Sequence, residues 1–131
     1  MPSAPADSPW SSLTRSSDSL EVYLLGVVDF ESAEVLQERL LADVQQRSDR
    51  HGTLLICEHP SVVSIGRDGS MLDLLAEPEE FTARMIPVHR VSRGGGTLMH
   101  APGQIAAYPI VPIDRCGLNV GTFRDGLIQA A

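Results

Sequence analysis

Lysine is absent from this sequence of 131 residues, and all ten of its cationic side chains are arginines. A lysine Schiff base, a P-loop lysine and a lysine that lowers the pKa of a neighbouring thiol are therefore excluded for this chain. The 17 Asp and Glu residues give a net charge of -7. Because a nucleic-acid-binding surface needs a basic patch, the sequence predicts no nucleic-acid partner.

Cysteine and long apolar runs are also scarce. The two cysteines, Cys57 and Cys116, lack the spacing of a disulfide framework or a zinc site, so we expect reduced thiols and no metal. No apolar run approaches the roughly 20 residues of a membrane-spanning helix. We therefore expect a cytoplasmic domain with no cofactor and no contact with a membrane.

Serine and proline dominate the first 19 residues, which also lack the apolar segment of a secretion signal. We interpret residues 1–19 as a disordered leader and residues 20–131 as part of one domain. The composition, 43% hydrophobic and 21% charged, is typical of a globular protein.

Hydrophobic patterning predicts both strands and helices along the chain. We expect a helix capped by Asp29 that ends near Gln46, a short helix beginning at Pro78 and a last helix capped by Asn119. The predicted strands are 20–26, 53–57, 62–65, 86–91 and 105–111. The strand 53–57 is expected to be buried on both faces and to pair with 62–65. The apolar face of the first helix is expected to contain Ala33, Leu36, Leu40, Leu41 and Val44.

The segment from Arg93 to Gln104 is the most informative part of the chain. It opens with Gly94, Gly95 and Gly96, whose amides can approach a ligand closely because no side chains intervene. Arg93 and His100 place a permanent cation and a titratable ring at its two ends. We predict a ligand-binding loop that grips a carbonyl or thioester. The alternative is a plain hairpin turn with incidental charges.

Other polar residues follow predicted strands. His59 could line a pocket, or Glu58 or His59 could bond the backbone in a turn. Arg67 could receive a phosphate or carboxylate, or it could form a salt bridge with Asp68 or Asp73.

The cysteines and two further strand residues are expected to serve structure rather than chemistry. Cys57 lies among aliphatic residues and is interpreted as a core residue, which makes it a poor nucleophile. Cys116 follows Arg115, but no positioned base is evident, so it is not predicted to be catalytic. His89 and Arg90 are predicted to be surface residues.

Several ordered segments together resemble the lipoyl/octanoyl transferase family, which is related to biotin and lipoate protein ligases. The segment from Leu54 to Arg67, LLICEHPSVVSIGR, is similar to the family's EHPPVYTLGR segment. The segment from Arg93 to Gln104 is similar to its RGGQVTYHGPGQ loop, and Tyr108-Pro109-Ile110 matches the YPI that follows. The resemblance covers about residues 20 to 131.

This resemblance implies an α/β (α+β) fold, in which a mixed sheet is flanked by helices, and a reaction of protein lipoylation. In that family an octanoyl group leaves acyl carrier protein, forms a thioester with an active-site cysteine and passes to a lysine of a lipoyl domain. Octanoyl-acyl carrier protein and lipoyl domains are therefore the implied partners. The implied substrate-binding residues are Arg93, Gly94, Gly95, Gly96, Thr97, Leu98, Met99 and His100.

The sequence also departs from the family pattern. The family's catalytic cysteine and assisting lysine lie C-terminal to the segments present here, so no catalytic residue is predicted. Gly96, Leu98, Met99 and Ala101 stand where the family usually has Gln, Thr, Tyr and Gly. We interpret the chain as the N-terminal, substrate-binding part of a transferase, inactive by itself. The alternatives are a non-catalytic acyl-binding paralogue and a ligase-type relative that uses an acyl-adenylate.

Overall fold

The computed structural model describes residues 18–131, so the predicted leader lies outside the described residues except for Asp18 and Ser19. The strands are β1 (Leu20–Val27), β2 (Gly52–Glu58), β3 (Val62–Ile65), β4 (Val88–Arg90), β5 (Thr97–His100) and β6 (Ala106–Ile110). The helices are α1 (Phe30–Gln46), α2 (Pro78–Ala83) and α3 (Val120–Ala130), with a short 3₁₀ turn at Met71–Asp73.

The strands form two three-stranded sheets, in the orders β1-β2-β6 and β4-β3-β5. The predicted α+β class is therefore confirmed. The predicted pairing of residues 53–57 with 62–65 is wrong, because β2 and β3 belong to different sheets. Both edges of β3 are already occupied: β4 pairs with it in parallel and β5 pairs with it antiparallel.

The buried strands differ in how completely they are covered. All four residues of β3 are buried, as expected of a strand covered on both faces. Along β2, Thr53, Leu55 and Cys57 are buried, whereas Leu54 and Ile56 are only half-buried. The prediction that this segment is fully buried on both faces is therefore wrong for the second face.

The predicted helix caps are confirmed. The Asp29 carboxylate accepts a hydrogen bond from the Ser32 amide at 3.1 Å, and the Asn119 side chain accepts one from the Thr122 amide at 2.9 Å. Of the predicted apolar face of α1, Ala33 and Val44 are buried and Leu36 and Leu40 are half-buried. Leu41 is 49% exposed, because at about 100° per residue it lies at the margin of that face.

Contacts between residues divide the chain into two compact units. The first contains Glu38–Leu54 and Pro109–Ala131, together with the described residues up to Val22. In this unit the Arg115 guanidinium donates to the carbonyl oxygens of Val44 and Asp49, at 2.6 Å each. Val44 lies in the last turn of α1, and Arg115 gives its carbonyl a second donor beside the Arg47 amide, which lies 3.3 Å away.

The second unit contains Tyr23–Gln37 and Leu55–Tyr108. Its most deeply buried side chains are those of Leu55, His59, Val63, Ser64 and Ile65. Two of these five are polar, and a buried polar group must find hydrogen-bond partners within the protein. All the predicted substrate-binding residues also belong to this unit.

Helix α2 ends in a Schellman motif that places a non-glycine residue in the left-handed region. The Met85 amide donates to the Thr82 carbonyl, and the Ile86 amide donates to the Phe81 carbonyl. This closure requires a positive φ at Met85, which has φ 57°. The Met85 side chain is 88% exposed, so little packing compensates for the conformational cost.

Met85→Gly is therefore expected to raise the free energy of unfolding by about 0.5–1 kcal/mol, since glycine adopts positive φ without a Cβ penalty. Met85→Ala, which keeps the Cβ, should not stabilise the protein. Chemical denaturation of the three proteins checks this expectation. Equal stability of the glycine and alanine variants would contradict it.

Candidate functional site

The glycine loop, defined here as Arg93–Gly96, connects β4 to β5 and is fixed by its carbonyl groups. The carbonyls of Arg93, Gly95 and Gly96 accept hydrogen bonds from the amides of residues 66–68, all at 3.0 Å. The carbonyl of Gly94 accepts a further bond from the Arg93 guanidinium at 2.9 Å. Every carbonyl of the loop is therefore used within the protein.

The amides of the same loop are not used. In residues 18–131, the N–H groups of Gly94, Gly95 and Gly96 have no hydrogen-bond acceptor. In a trans peptide the N–H points opposite to the carbonyl of the preceding residue. Because the carbonyls point towards protein partners, the three amides point away from those partners. This path of the backbone requires a positive φ at residue 95, and Gly95 adopts φ 85° without a Cβ penalty.

Arg93 anchors this loop from inside. One terminal nitrogen of its guanidinium donates to both the carbonyl and the hydroxyl of Ser64, at 2.9 and 2.8 Å, and the other donates to the Gly94 carbonyl. The sequence left open whether Arg93 anchors the loop or a ligand, and the structure shows that it anchors the loop.

Gly66 leaves the space that this anchor needs. A Cβ on Gly66 would lie 2.5 Å from an Arg93 terminal nitrogen and 2.5 Å from the Gly95 carbonyl oxygen. Real Cβ atoms do not approach other atoms so closely, so any side chain here would displace Arg93 or the loop. Gly66, which follows β3, therefore helps to fix the loop because it leaves room for the Arg93 side chain.

Residues 97–100 of the predicted loop form a strand rather than a loop. Thr97, Leu98, Met99 and His100 form β5 and pair antiparallel with β3, with Thr97 opposite Ile65 and His100 opposite Val62. The sequence missed this strand because the glycines before it and Pro102-Gly103 after it dominate the pattern. Leu98 and Met99 are about half exposed.

Thr97 connects the glycine loop to the 3₁₀ turn. Its hydroxyl lies 3.0 Å from an Asp73 carboxylate oxygen and 3.3 Å from the Ser70 carbonyl oxygen. Asp73 also accepts the Ser70 amide at 2.8 Å, which caps the turn. The side of the loop that follows Gly96 is thus held by a second set of polar contacts.

His100 lies beside the anchor. Its Nε2 is 3.0 Å from the hydroxyl oxygen of Ser64, the residue that also binds Arg93. Burial lowers the pKa of His100 from its ordinary value, and the electrostatic effects of nearby His59 and Arg93 lower that pKa further. The environment therefore favours the neutral imidazole.

His59 has a structural position. It is 1% exposed, its Nδ1 is 2.8 Å from the Val28 carbonyl oxygen, and its Nε2 is 2.7 Å from the Tyr108 hydroxyl. Because a carbonyl only accepts, Nδ1 carries the hydrogen and the Tyr108 hydroxyl donates to Nε2 in the neutral ring. Burial raises the pKa of Tyr108 to about 12, so this donor remains protonated. The interpretation of His59 as a residue that bonds the backbone is confirmed, and Glu58 likewise accepts the Gly103 amide.

The Phe30 ring lies next to the rings of three of the four histidines. Its ring centroid lies 5.3 Å from that of His59, 5.4 Å from that of His100 and 6.0 Å from that of His89, on which it stacks. The prediction that His89 is a plain surface residue is therefore too simple. Phe30 itself was missed, because one aromatic residue at a helix start carries no sequence signal for such contacts.

Ser64 and Tyr108 were also missed. For Ser64 a usable signal existed, because a single hydroxyl inside the apolar run Val62–Ile65 must find partners once the strand is buried. For Tyr108 the sequence offered only a polar tip on a strand, which does not identify a partner.

Arg67 carries an exposed positive charge next to the loop. Neither Asp68 nor Asp73 forms a salt bridge with it in the described part of the chain, so the salt-bridge interpretation is not supported. A terminal nitrogen of Arg67 lies 3.3 Å from where a Cβ on Gly94 would sit. An unpaired guanidinium therefore lies beside Gly94, the first residue of the loop with an unused amide.

The cysteines lie in different environments. Cys57 is 3% exposed, and burial raises the pKa of its thiol, which confirms its interpretation as a core residue. Cys116 is exposed. Across residues 18–131, no group of three or more His, Cys, Asp or Glu side chains could hold a metal ion. In the same span, every helix is too short or too polar to cross a membrane.

The lowered pKa of His100 predicts a pH dependence of stability. The unfolded chain, with a His pKa near 6.5, takes up this proton at a higher pH than the folded chain does. The free energy of unfolding should therefore fall as the pH drops through and below 6.5, and His100→Gln should show a smaller fall. Urea denaturation between pH 7.5 and pH 5 measures this. Identical pH profiles for the two proteins would refute the assignment.

Comparison with known proteins agrees with this architecture. The lipoyl protein ligase A/B catalytic domain family matches residues 29–131. The octanoyltransferase of Chloroflexus aggregans is 39% identical over 113 residues, which cover 86% of this chain and 50% of that relative. The octanoyltransferase of Roseiflexus sp. is 37% identical over 112 residues, which cover 86% of this chain and 46% of that relative.

A solved structure supports the fold. P. falciparum LipL1, crystallised in complex with lipoate, matches with a TM-score of 0.52 and 14% sequence identity, over 68% of this chain and 29% of LipL1. The chain spans about half the length of the octanoyltransferases it matches. From the family match over residues 29–131 and the agreement in fold, we conclude that the chain belongs to the lipoyl protein ligase A/B catalytic domain family.

Proposed function

We propose that this chain supplies the acyl-binding part of an octanoyltransferase of protein lipoylation. The donor is octanoyl-acyl carrier protein and the acceptor is a lysine of a lipoyl domain, in the cytoplasm. The observation that carries the proposal is the orientation of the glycine loop, whose carbonyls are all used internally and whose three amides are not. The octanoyltransferase relatives support the choice of an acyl substrate.

The unused amides suit the oxygen of an acyl thioester. Attack on a thioester carbonyl places negative charge on that oxygen, and fixed N–H donors stabilise this charge. Here the donors are fixed before the ligand arrives, because Arg93 and residues 66–68 hold the loop by its carbonyls. Little rearrangement is then needed when the charge develops.

The side chains next to the loop suit an acyl substrate as well. Leu98 and Met99 expose apolar side chains on opposite faces of β5, and the octanoyl chain can contact either of them. His100 offers a neutral ring at the end of the same strand. The proposed substrate-binding residues therefore run from Arg93 to His100, with Arg93 acting through the loop that it anchors.

We expect neither cysteine to serve as the nucleophile of the thioester intermediate. Cys57 is buried with a raised thiol pKa, and no lysine is present to assist the exposed Cys116. We therefore propose that this chain binds the acyl group but does not by itself transfer it to a lipoyl domain.

A second candidate is a ligase-type relative that holds an acyl-adenylate. The unpaired Arg67 beside the amides of the glycine loop favours it, because a guanidinium next to backbone N–H groups suits a phosphate. A non-hydrolysable octanoyl-adenylate and an octanoyl-pantetheine amide discriminate the two candidates. The transferase proposal expects the pantetheine compound to bind more tightly, and tighter binding of the adenylate would favour the ligase.

Gly96 provides a direct test of the acyl site. A Cβ there meets no protein atom within 4 Å, and Gly96 does not need positive φ, so a side chain would enter ligand space without disturbing the fold. Gly96→Val is expected to weaken binding of the octanoyl-pantetheine amide at least about tenfold, or ~1.4 kcal/mol. Isothermal titration calorimetry measures the affinity, and mass spectrometry of a lipoyl domain monitors transfer.

The matched control is Gly126→Ala on α3, where a Cβ likewise meets nothing within 4 Å. It should bind as the wild type does. If Gly96→Val bound the compound with unchanged affinity and kept the circular dichroism spectrum of the wild type, the loop would be interpreted as a plain hairpin turn. Octanoylation of the lipoyl domain by this chain alone would overturn the claim that it cannot transfer the group.

A further inference from the structure

We infer that Ser64 is a positioning residue that fixes the tautomer of His100, by donating its hydroxyl hydrogen to His100 Nε2. The inference deepens the proposed function, on which it rests, because His100 closes the proposed acyl-binding segment. Ser64 lies on β3, opposite Leu98 in the register, and is fully buried. It acts through His100 rather than on a ligand.

The hydrogen-bond inventory of Ser64 gives the direction of this bond. Arginine only donates, so the Ser64 oxygen accepts from the Arg93 guanidinium at 2.8 Å. The hydroxyl hydrogen then points to another acceptor, and His100 Nε2 lies 3.0 Å away. With this direction, the Ser64 oxygen accepts from Arg93 and the Ser64 hydrogen is donated to His100 Nε2.

Arg93 restricts the positions that the Ser64 hydroxyl can adopt. The terminal nitrogen that binds the Ser64 hydroxyl also binds the Ser64 carbonyl at 2.9 Å, which fixes the guanidinium on the same residue twice. The hydroxyl oxygen is therefore held between Arg93 and His100 rather than free to rotate away. The buried Arg93 Nε has no partner in the described chain, so this guanidinium is held by its two terminal nitrogens.

The surroundings of His100 favour a neutral ring with an accepting Nε2. The groups that face it are the Arg93 guanidinium, His59 and the Phe30 ring, none of which carries negative charge. A neutral imidazole with an accepting Nε2 carries its hydrogen on Nδ1. Nδ1 has no hydrogen-bond partner in residues 18–131, so its N–H is available as a donor at the end of the acyl-binding segment.

Nitrogen-15 NMR of the imidazole rings in the 131-residue chain tests this directly. The spectrum should show that Nδ1 of His100 carries the hydrogen near pH 7.5. Ser64→Ala should lose this tautomer preference and raise the His100 titration midpoint, because a hydrogen bond that the neutral ring accepts is removed. Ser64→Thr, which keeps the hydroxyl, should retain the wild-type tautomer and titration.

Ser61→Ala is the matched control, since Ser61 precedes β3 and makes no hydrogen bond in the described chain; its spectrum should equal that of the wild type. A wild-type His100 with its hydrogen on Nε2 would overturn the inference, even if Ser64→Ala failed to fold. So would a folded Ser64→Ala protein with unchanged tautomer and titration. These spectra need no acyl ligand, so this failure is distinguishable from failure of the acyl site.

The role in binding has its own measurement. Ser64→Ala should weaken the octanoyl-pantetheine amide about two- to tenfold, as expected when one neutral hydrogen bond is lost, and Ser64→Thr should restore the affinity. If Ser64→Ala changed the tautomer without changing the affinity, Ser64 would fix the ring but would not position it for the acyl group, and the inference would fail at that step.

Discussion

The hydrogen bonds between the Arg93 guanidinium and Ser64 are the constraint on which the candidate site depends. They tie the start of the glycine loop to the centre of a fully buried strand, which has no freedom to adjust. The loop can only be placed this way because residue 66 has no side chain in the space that Arg93 occupies. A permanent cation is thus used for structure, although its place in the sequence suggests ligand binding.

The carbonyl groups and the amide groups of the glycine loop therefore differ in how they are used. Its carbonyls are used for attachment to residues 66–68 and to Arg93, and its amides stay free for a ligand. This arrangement gives fixed donors, the form in which backbone groups stabilise a developing oxyanion most effectively. Beside Gly94, the guanidinium of Arg67 has no ion-pair partner in the described chain, and Leu98 and Met99 of β5 are about half exposed.

Short sequence patterns predicted the helix caps correctly, but they could not predict which strands pair with each other. The caps at Asp29 and Asn119 were predictable because capping is decided by residues three apart in sequence. The separation of β2 from β3 was not, because both segments are short apolar runs that give no information about their partners. The strand from Thr97 to His100 was hidden by the glycines before it. The role of Arg93 was left open, because its partner Ser64 is 29 residues away in the chain.

Amide hydrogen exchange, read residue by residue by NMR, tests the central claim most directly. If the loop is held by its carbonyls, the amides of residues 66–68 exchange slowly, whereas the amides of Gly94, Gly95 and Gly96 exchange quickly in the free protein. Saturating octanoyl-pantetheine amide should then slow exchange at the three glycines and leave residues 66–68 unchanged. Slow exchange at the glycines without ligand, or no change there when the ligand is bound, would contradict the account.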